Sequence, residues 1–174
     1  LTTDAKSETD ASWIANGTKI AFLREGEIWT MDANGENRKK LSDTEGAIEG
    51  YKFSPDGKKV ILLKSLDYHG TIKKNPSDLP LATGRLVTDM NYRHWDHYVE
   101  QISHAFVADV TENGIANVVD ILEGEPYECP LAPFGGIEQL DWSIDSKLVA
   151  YTCRKKEGVD YAISTDADIY IYNV

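Results

Sequence analysis

Phe53-Ser-Pro-Asp-Gly-Lys-Lys-Val-Ile-Leu62 reads as a strand end, a tight turn and a second strand. Asp-Gly tolerates positive φ at the turn, and the apolar residues that follow suit a strand of a half-buried sheet. Two further segments repeat the pattern: Trp13-Ile-Ala-Asn-Gly-Thr-Lys-Ile-Ala-Phe22 and Trp142-Ser-Ile-Asp-Ser-Lys-Leu-Val-Ala-Tyr151. Each places an aromatic first, Asn16, Asp56 or Asp145 fourth, Gly17, Gly57 or Ser146 fifth, a β-branched residue eighth and a large apolar residue tenth.

A second echo follows each of the first. Ile28-Trp-Thr-Met-Asp32, Ala105-Phe-Val-Ala-Asp109 and Ile169-Tyr-Ile-Tyr-Asn173 set apolar and aromatic residues ahead of a closing Asp or Asn, which predicts a third strand ending in a turn. Gly35 to Leu41 and Gly114 to Ile121 supply a fourth strand in the first two units. The unit is a four-stranded antiparallel meander with a period near ~40 residues, the mark of a β-propeller, because no single blade buries both of its faces. The expected fold is all-β: a partial, WD40-like or TolB-like β-propeller of about three blades, in an incomplete ring.

The expected blade boundaries are 5–42, 48–122 and 137–174. The second blade carries a long insertion between its second and third strands, roughly residues 66–103, and a shorter one at 154–167 takes the same place in the third. The third blade lacks its last strand, and the chain opens on Leu1 with no initiator Met. Both features suggest a piece of a longer polypeptide, whose end blades expose apolar faces and unpaired edges and therefore self-associate. The aromatics at equivalent positions, Trp13, Trp29, Phe53, Phe106, Trp142 and Tyr170, are expected to fill the layers between sheets.

The net charge of −11 repels phosphate backbones and anionic lipid, so nucleic acid and membrane surfaces are poor partners. No apolar run reaches the ~20 residues of a membrane helix. The two cysteines, Cys129 and Cys153, form no framework, and buried free thiols suit them better than a disulfide.

The sequence contains no Gly-x-Ser-x-Gly nucleophile elbow, no His-Glu-x-x-His, no phosphate loop and no Cys-x-x-Cys, so no catalytic residue is assigned within this chain. The densest polar and aromatic cluster is Asn91-Tyr-Arg-His-Trp-Asp-His-Tyr-Val-Glu100, in the long insertion. The His94 to His97 spacing suits one helix face, but His104 begins the third strand and nothing fixes a metal geometry, so neither metal nor cofactor is expected. Two readings of the cluster remain open. In one, Tyr92, Trp95 and Tyr98 pack on the blade edge; in the other, the loop presents Arg93, Asp96 and Glu100 to a ligand, flanked by Tyr92 and Trp95.

Phe53-Ser-Pro-Asp-Gly-Lys58 is similar to the blade motif shared by the translocation protein TolB and the propellers of prolyl-oligopeptidase-type serine peptidases. Tyr92-Arg-His-Trp-Asp96 followed by His104-Ala-Phe-Val-Ala-Asp109 resembles the dipeptidyl-peptidase and acylaminoacyl-peptidase branch of the latter, as do Ala132-Pro-Phe-Gly-Gly136 and Gln139-Leu-Asp-Trp-Ser143. Ile144 and Ser146 depart from the motif, which prefers Pro and Gly, at the turn. The resemblance implies a parent whose propeller caps a separate C-terminal α/β-hydrolase domain bearing a Ser-Asp-His triad. It also implies a peptide substrate, with Arg93 on its backbone; Asp96 and Glu100 are placed near its ammonium by their charge and position, and an acidic, Cys-poor peptidase propeller fits a periplasmic or secreted setting better than the cytoplasm. The competing reading is a TolB-like propeller that binds proteins and catalyses nothing.

Overall fold

The computed structural model describes the chain except residues 1, 4, 69–71, 74–80, 82–85, 92 and 96; of residues 72, 73, 86 and 94 only the backbone is described. The first sheet contains β1 (Glu8–Ile14), β2 (Lys19–Arg24), β3 (Glu27–Asp32) and β4 (Lys39–Lys40), in that order. The second is built from β5 (Ile48–Phe53) and β6 (Lys59–Asp67), then, beyond four two-residue strands, β7 (Ile72–Lys73), β8 (Leu86–Val87), β9 (Arg93–His94) and β10 (His97–Tyr98), from β11 (Gln101–Thr111) and β12 (Gly114–Asp120). Its order is β12-β11-β6-β5, the same meander with an excursion inside it. The third contains β13 (Leu140–Trp142), β14 (Leu148–Cys153) and, after helix α1 (Gly158–Ile163), β15 (Asp168–Asn173). All neighbouring strands are antiparallel, and the architecture is the all-β partial propeller that the repeats predict.

The sheets stack face on face. Val60, Leu62, Phe106 and Ala108 pack towards Ala21, Leu23 and Ile28 of the first sheet. Ile61, Leu63, Ala105 and Val107 point the other way, onto Leu140, Trp142, Val149 and Tyr151 of the third. Covered on both sides, β6 and β11 need continuous apolar runs, whereas a one-sided strand alternates. Trp142 also ties the two sheets together, its indole Nε1–H donating to the Lys52 carbonyl at 3.0 Å.

The aromatic repeat has a direction. Phe53 and Phe106 face the first sheet, and Trp142 and Tyr170 face the second, so each set points at the preceding sheet. Trp13 and Trp29 obey the same rule with no sheet before them: Trp13 is 64% exposed, and Trp29 is covered in part by the Arg24 guanidinium, 5.4 Å from its ring centroid. The expectation that all six aromatics fill layers therefore fails at Trp13 and Trp29. Trp13 is placed to pack, but among the described residues no sheet covers it.

The turns of the second and third repeats share one mechanism, whereas the first, with Ile14 in place of the serine, is a 3-10 turn over Ala15–Gly17. The Ser54 hydroxyl accepts the Lys59 N–H at 3.0 Å and donates to Asp56 Oδ1 at 2.7 Å, while Gly57 turns back at φ +70. In the third sheet Ser143 accepts the Leu148 N–H at 2.9 Å and donates to Asp145 at 2.6 Å. Ser146 there takes the left-handed conformation at φ +62, so the departure from Gly leaves the turn intact. Backbone N–H and hydroxyl donors hold the Asp56 and Asp145 carboxyls below the usual carboxylate range. Cys129 and Cys153 are both buried and free.

Candidate functional site

Strands β6 and β11 pair without a break from Lys59↔Asp109 to Asp67↔Gln101, so the long excursion opens only after Asp67. The shorter one leaves after Cys153 and carries α1. Both spring from the far end of a second strand, so both emerge at the same edge of the stack and meet there. The Gly158 N–H donates to Asp89 Oδ1 at 3.2 Å, joining them directly. The segment between β12 and β13 closes the group: Tyr127 donates to Glu157 at 2.8 Å, Tyr161 to the buried Glu128 at 2.7 Å, and Lys155 to Glu125 at 2.8 Å. The Arg154 guanidinium lies 3.7 Å from Glu128 and stacks on Tyr161 at 4.0 Å.

Beneath this junction lies a cleft of about 720 Å³. Leu66, Tyr68, Ile102 and Pro126 give it an apolar wall; Asp67, Asp89, Asp120, Glu125 and Glu157 give it carboxylates, and His104 stands among them. Among the described residues lining it there is no Lys or Arg. The Tyr68 hydroxyl donates to Asp89 at 3.2 Å, and burial, followed by the charge of Asp89, pushes that phenol up to about 12. Tyr127 is raised by its hydrogen bond to the Glu157 carboxylate, and Tyr161 by burial and then by Glu128. Such a cleft suits a cationic ligand with a short apolar part.

The residues singled out in the sequence stand apart from this cleft. The 93–98 segment is a two-stranded hairpin, β9 on β10, in place of the helix face that the histidine spacing suits. Arg93 Nε–H donates to the Trp95 carbonyl at 2.9 Å, and its guanidinium lies 5.3 Å from the Tyr98 ring centroid. Trp95, 72% exposed at the turn with φ +44, meets the exposed Phe134 edge-on at 5.1 Å. The two form an aromatic ledge. Glu100 lines a separate hollow with Asp67, His97 and Tyr98, and its carbonyl accepts the Tyr68 N–H at 2.9 Å. Tyr92 and Asp96 lie outside the described residues. The structure therefore groups Arg93 with Trp95 and leaves Glu100 elsewhere.

The carboxylates of the cleft escape sequence reading because they come from four separate stretches of chain. The only signal pointing to them is that the insertions of the second and third units occupy the same place in the repeat.

Along its whole length the chain is 45% identical, over 178 residues, to dipeptidyl-peptidase 5 of Porphyromonas gingivalis, of which it covers 26%. It is similar throughout to one segment of the dipeptidyl-peptidases 5. The enzyme of that name from Porphyromonas endodontalis is 35% identical over 178 residues, again with 100% of this chain and 26% of the relative covered. That from Arthroderma otae is 28% identical over 192 residues with the same coverage. The chain thus spans about a quarter of the length of the curated relatives it matches. Acylaminoacyl peptidase of Pyrococcus horikoshii shares the fold at a TM-score of 0.53 and 15% identity, over 95% of this chain and 23% of that one. No protein-family model matches the chain.

Proposed function

We propose that the chain is the non-catalytic propeller segment of a serine exopeptidase of the prolyl-oligopeptidase family, one that releases dipeptides. In this reading it screens peptides and anchors their amino ends, while a C-terminal α/β-hydrolase domain of the same polypeptide breaks the bond. The carrying observation is the match of the whole chain to a quarter of each dipeptidyl-peptidase 5, in a sequence without a nucleophile elbow. The relatives matched in this way are named as peptidases, which favours this reading over a protein-binding propeller.

The division of labour is chemically sound. A triad supplies nucleophile, base and orientation, and a separate surface supplies binding that positions the scissile bond. An exopeptidase must recognise a charged amine, and carboxylates do so through charge-assisted hydrogen bonds of ~1.5–3 kcal/mol each. The ledge of Arg93 and Trp95, with Tyr92, Asp96 and Glu100 in the same excursion, is the proposed contact with the peptide. Periplasmic or secreted placement belongs to the same proposal.

The test compares the isolated segment with the full-length polypeptide on dipeptidyl chromogenic substrates. The segment should show no turnover, and the polypeptide should release dipeptides in a manner abolished by serine-hydrolase inhibitors. Turnover by the segment that survives those inhibitors, or a full-length polypeptide without serine-dependent release, overturns the reading.

A further inference from the structure

The dipeptide Asn-Gly occurs three times, as Asn16-Gly17, Asn34-Gly35 and Asn113-Gly114. It is a chemically special pair. With no Cβ in the way, the glycine nitrogen reaches the side-chain amide carbon of the asparagine before it, provided that the backbone between them is able to turn. The fold decides where that condition is met.

Asn34 is tied on every side. Its Oδ1 accepts the Glu36 N–H at 3.0 Å, its Nδ2 donates to Glu36 Oε2 at 2.9 Å, and the Gly35 N–H is engaged by the Asp32 carbonyl at 2.8 Å. At Asn113 the glycine is what is pinned. Gly114 is buried at the start of β12, where an added Cβ would lie 2.7 Å from the Leu41 carbonyl oxygen. Its carbonyl accepts the Thr111 hydroxyl at 2.8 Å, and the next N–H, of Ile115, donates to that same Leu41 carbonyl at 3.1 Å.

Asn16 differs from both. It lies exposed in the turn that joins β1 to β2, and among the described residues no hydrogen bond reaches its side chain. A Cβ on Gly17 would meet nothing within 4 Å, so the glycine has open space to move in. Ala15, Asn16 and Gly17 take left-handed conformations in succession, at φ +50, +53 and +80, a strain that ordinary residues bear at a cost. The Thr18 N–H and hydroxyl close the turn on the Ala15 carbonyl, at 3.2 and 2.7 Å. Opening it disturbs no packed layer, which places it at the low end of local stability.

We propose that Asn16 is a site of self-modification, at which the native chain converts an asparagine into isoaspartate and aspartate. The Gly17 nitrogen gives up its proton and attacks Asn16 Cγ; the new C–N bond closes a cyclic imide, the Cγ–Nδ2 bond breaks, and the amide nitrogen leaves with that proton as ammonia. Water then adds to either carbonyl of the imide and opens it, to aspartate or to isoaspartate, in which the main chain runs through the former side chain. No oxidant or cofactor takes part. Each product carries one more negative charge, and isoaspartate lengthens the connection between Ile14 and Lys19, the pair that sets the register of β1 on β2. The strand bearing Trp13 is therefore the one that ages.

The test incubates the full chain near neutral pH, native and in urea, and follows each Asn-Gly peptide after digestion by its mass and by methyl transfer from an isoaspartyl methyltransferase. In the native chain Asn16 should react roughly tenfold or more faster than Asn34 or Asn113, the weight of the one or two hydrogen bonds that hold those pairs. In urea the three rates should converge, with that of Asn16 little changed. Asn16→Gln should remove the fast product. Native rates at Asn34 or Asn113 equal to that at Asn16, or an Asn16 that reacts only once the chain is unfolded, overturn the site. Aspartate formed without isoaspartate overturns the imide step, and none of these readings depends on a variant that folds.

Discussion

Gly57 and Ser146 hold the same left-handed turn position with opposite chemistry. A Cβ on Gly57 would meet nothing within 4 Å, so Gly57→Ala isolates the backbone cost of φ +70, about 1–2 kcal/mol. Ser146 bears that cost and recovers part of it, its Oγ accepting the Asp56 N–H at 3.2 Å and so tying the two turns together. Gly26 is a harsher case, since at φ +74 an added Cβ would lie 2.7 Å from Ala47 Cβ. Gly26→Ala should lose a further ~1–3 kcal/mol through overpacking. Urea midpoints rank the pair, and equal losses would refute the steric half of the argument. The cysteines make a second residue-scale case. Burial pushes Cys129 up to about 12 and Cys153 to about 11, so both remain protonated thiols at neutral pH. A folded-state pKa raised above the unfolded value of 9.0 means that their contribution to stability is whole below about pH 9 and is lost as pH climbs towards 12. Urea midpoints should therefore hold level from pH 7 to 8.5 and fall by pH 10.5. A thiol reagent at pH 8 should label neither cysteine until the chain is unfolded; prompt labelling of the native protein would contradict the burial.

At the scale of elements, the outer faces of the first and third sheets are complementary. The first offers Trp13 and Trp29, which point where a preceding sheet would lie. The third offers Leu148, Ile169 and Ile171, at 38%, 76% and 60% exposure, where a following sheet would lie. Register confirms that they share a face: Ala150 pairs with Ile171, and Thr152 with Ile169. Covering such a face removes several hundred Å² of apolar surface, of order 10 kcal/mol at ~25 cal/mol per Å² before association costs. The chain should therefore associate head to tail at micromolar concentration, and Ile169→Lys with Ile171→Lys should yield a monomer of unchanged melting temperature. Light scattering decides the matter. A wild-type chain that is monodisperse at the mass of one copy, binding no dye specific for apolar surface, would show that the faces do not meet.

For the molecule as a whole, the prediction concerns recognition without folding. Arg93 lies exposed on its hairpin and Glu100 is exposed at the hairpin's root, so neither is part of a packed layer. In the full-length polypeptide, Arg93→Ala and Glu100→Ala should each lower kcat/KM for dipeptide release by roughly tenfold, about 1.4 kcal/mol of transition-state binding, at an unaltered melting temperature. Unchanged kinetics in both variants would return the excursion to a packing role. The fold was legible because its determinants are local: Ser54, Asp56 and Gly57 build a turn from neighbours within five residues, and alternation along Leu148–Cys153 marks the buried face without reference to any partner. The same locality made three antiparallel meanders readable from repeats alone. That the end sheets bare an apolar face was readable, but that Trp13 lies on it was not, because burial belongs to a pair of sheets and a strand's own pattern does not say which neighbour each of its faces meets. Nor was the cleft, since Asp67, Asp89, His104 and Glu157 come together only where two excursions without any period are folded back over one edge. Sequence by itself determined the strands, their turns and their order; tertiary structure decided which faces are covered and which charges share a cavity, because those depend on contacts between residues far apart in the chain.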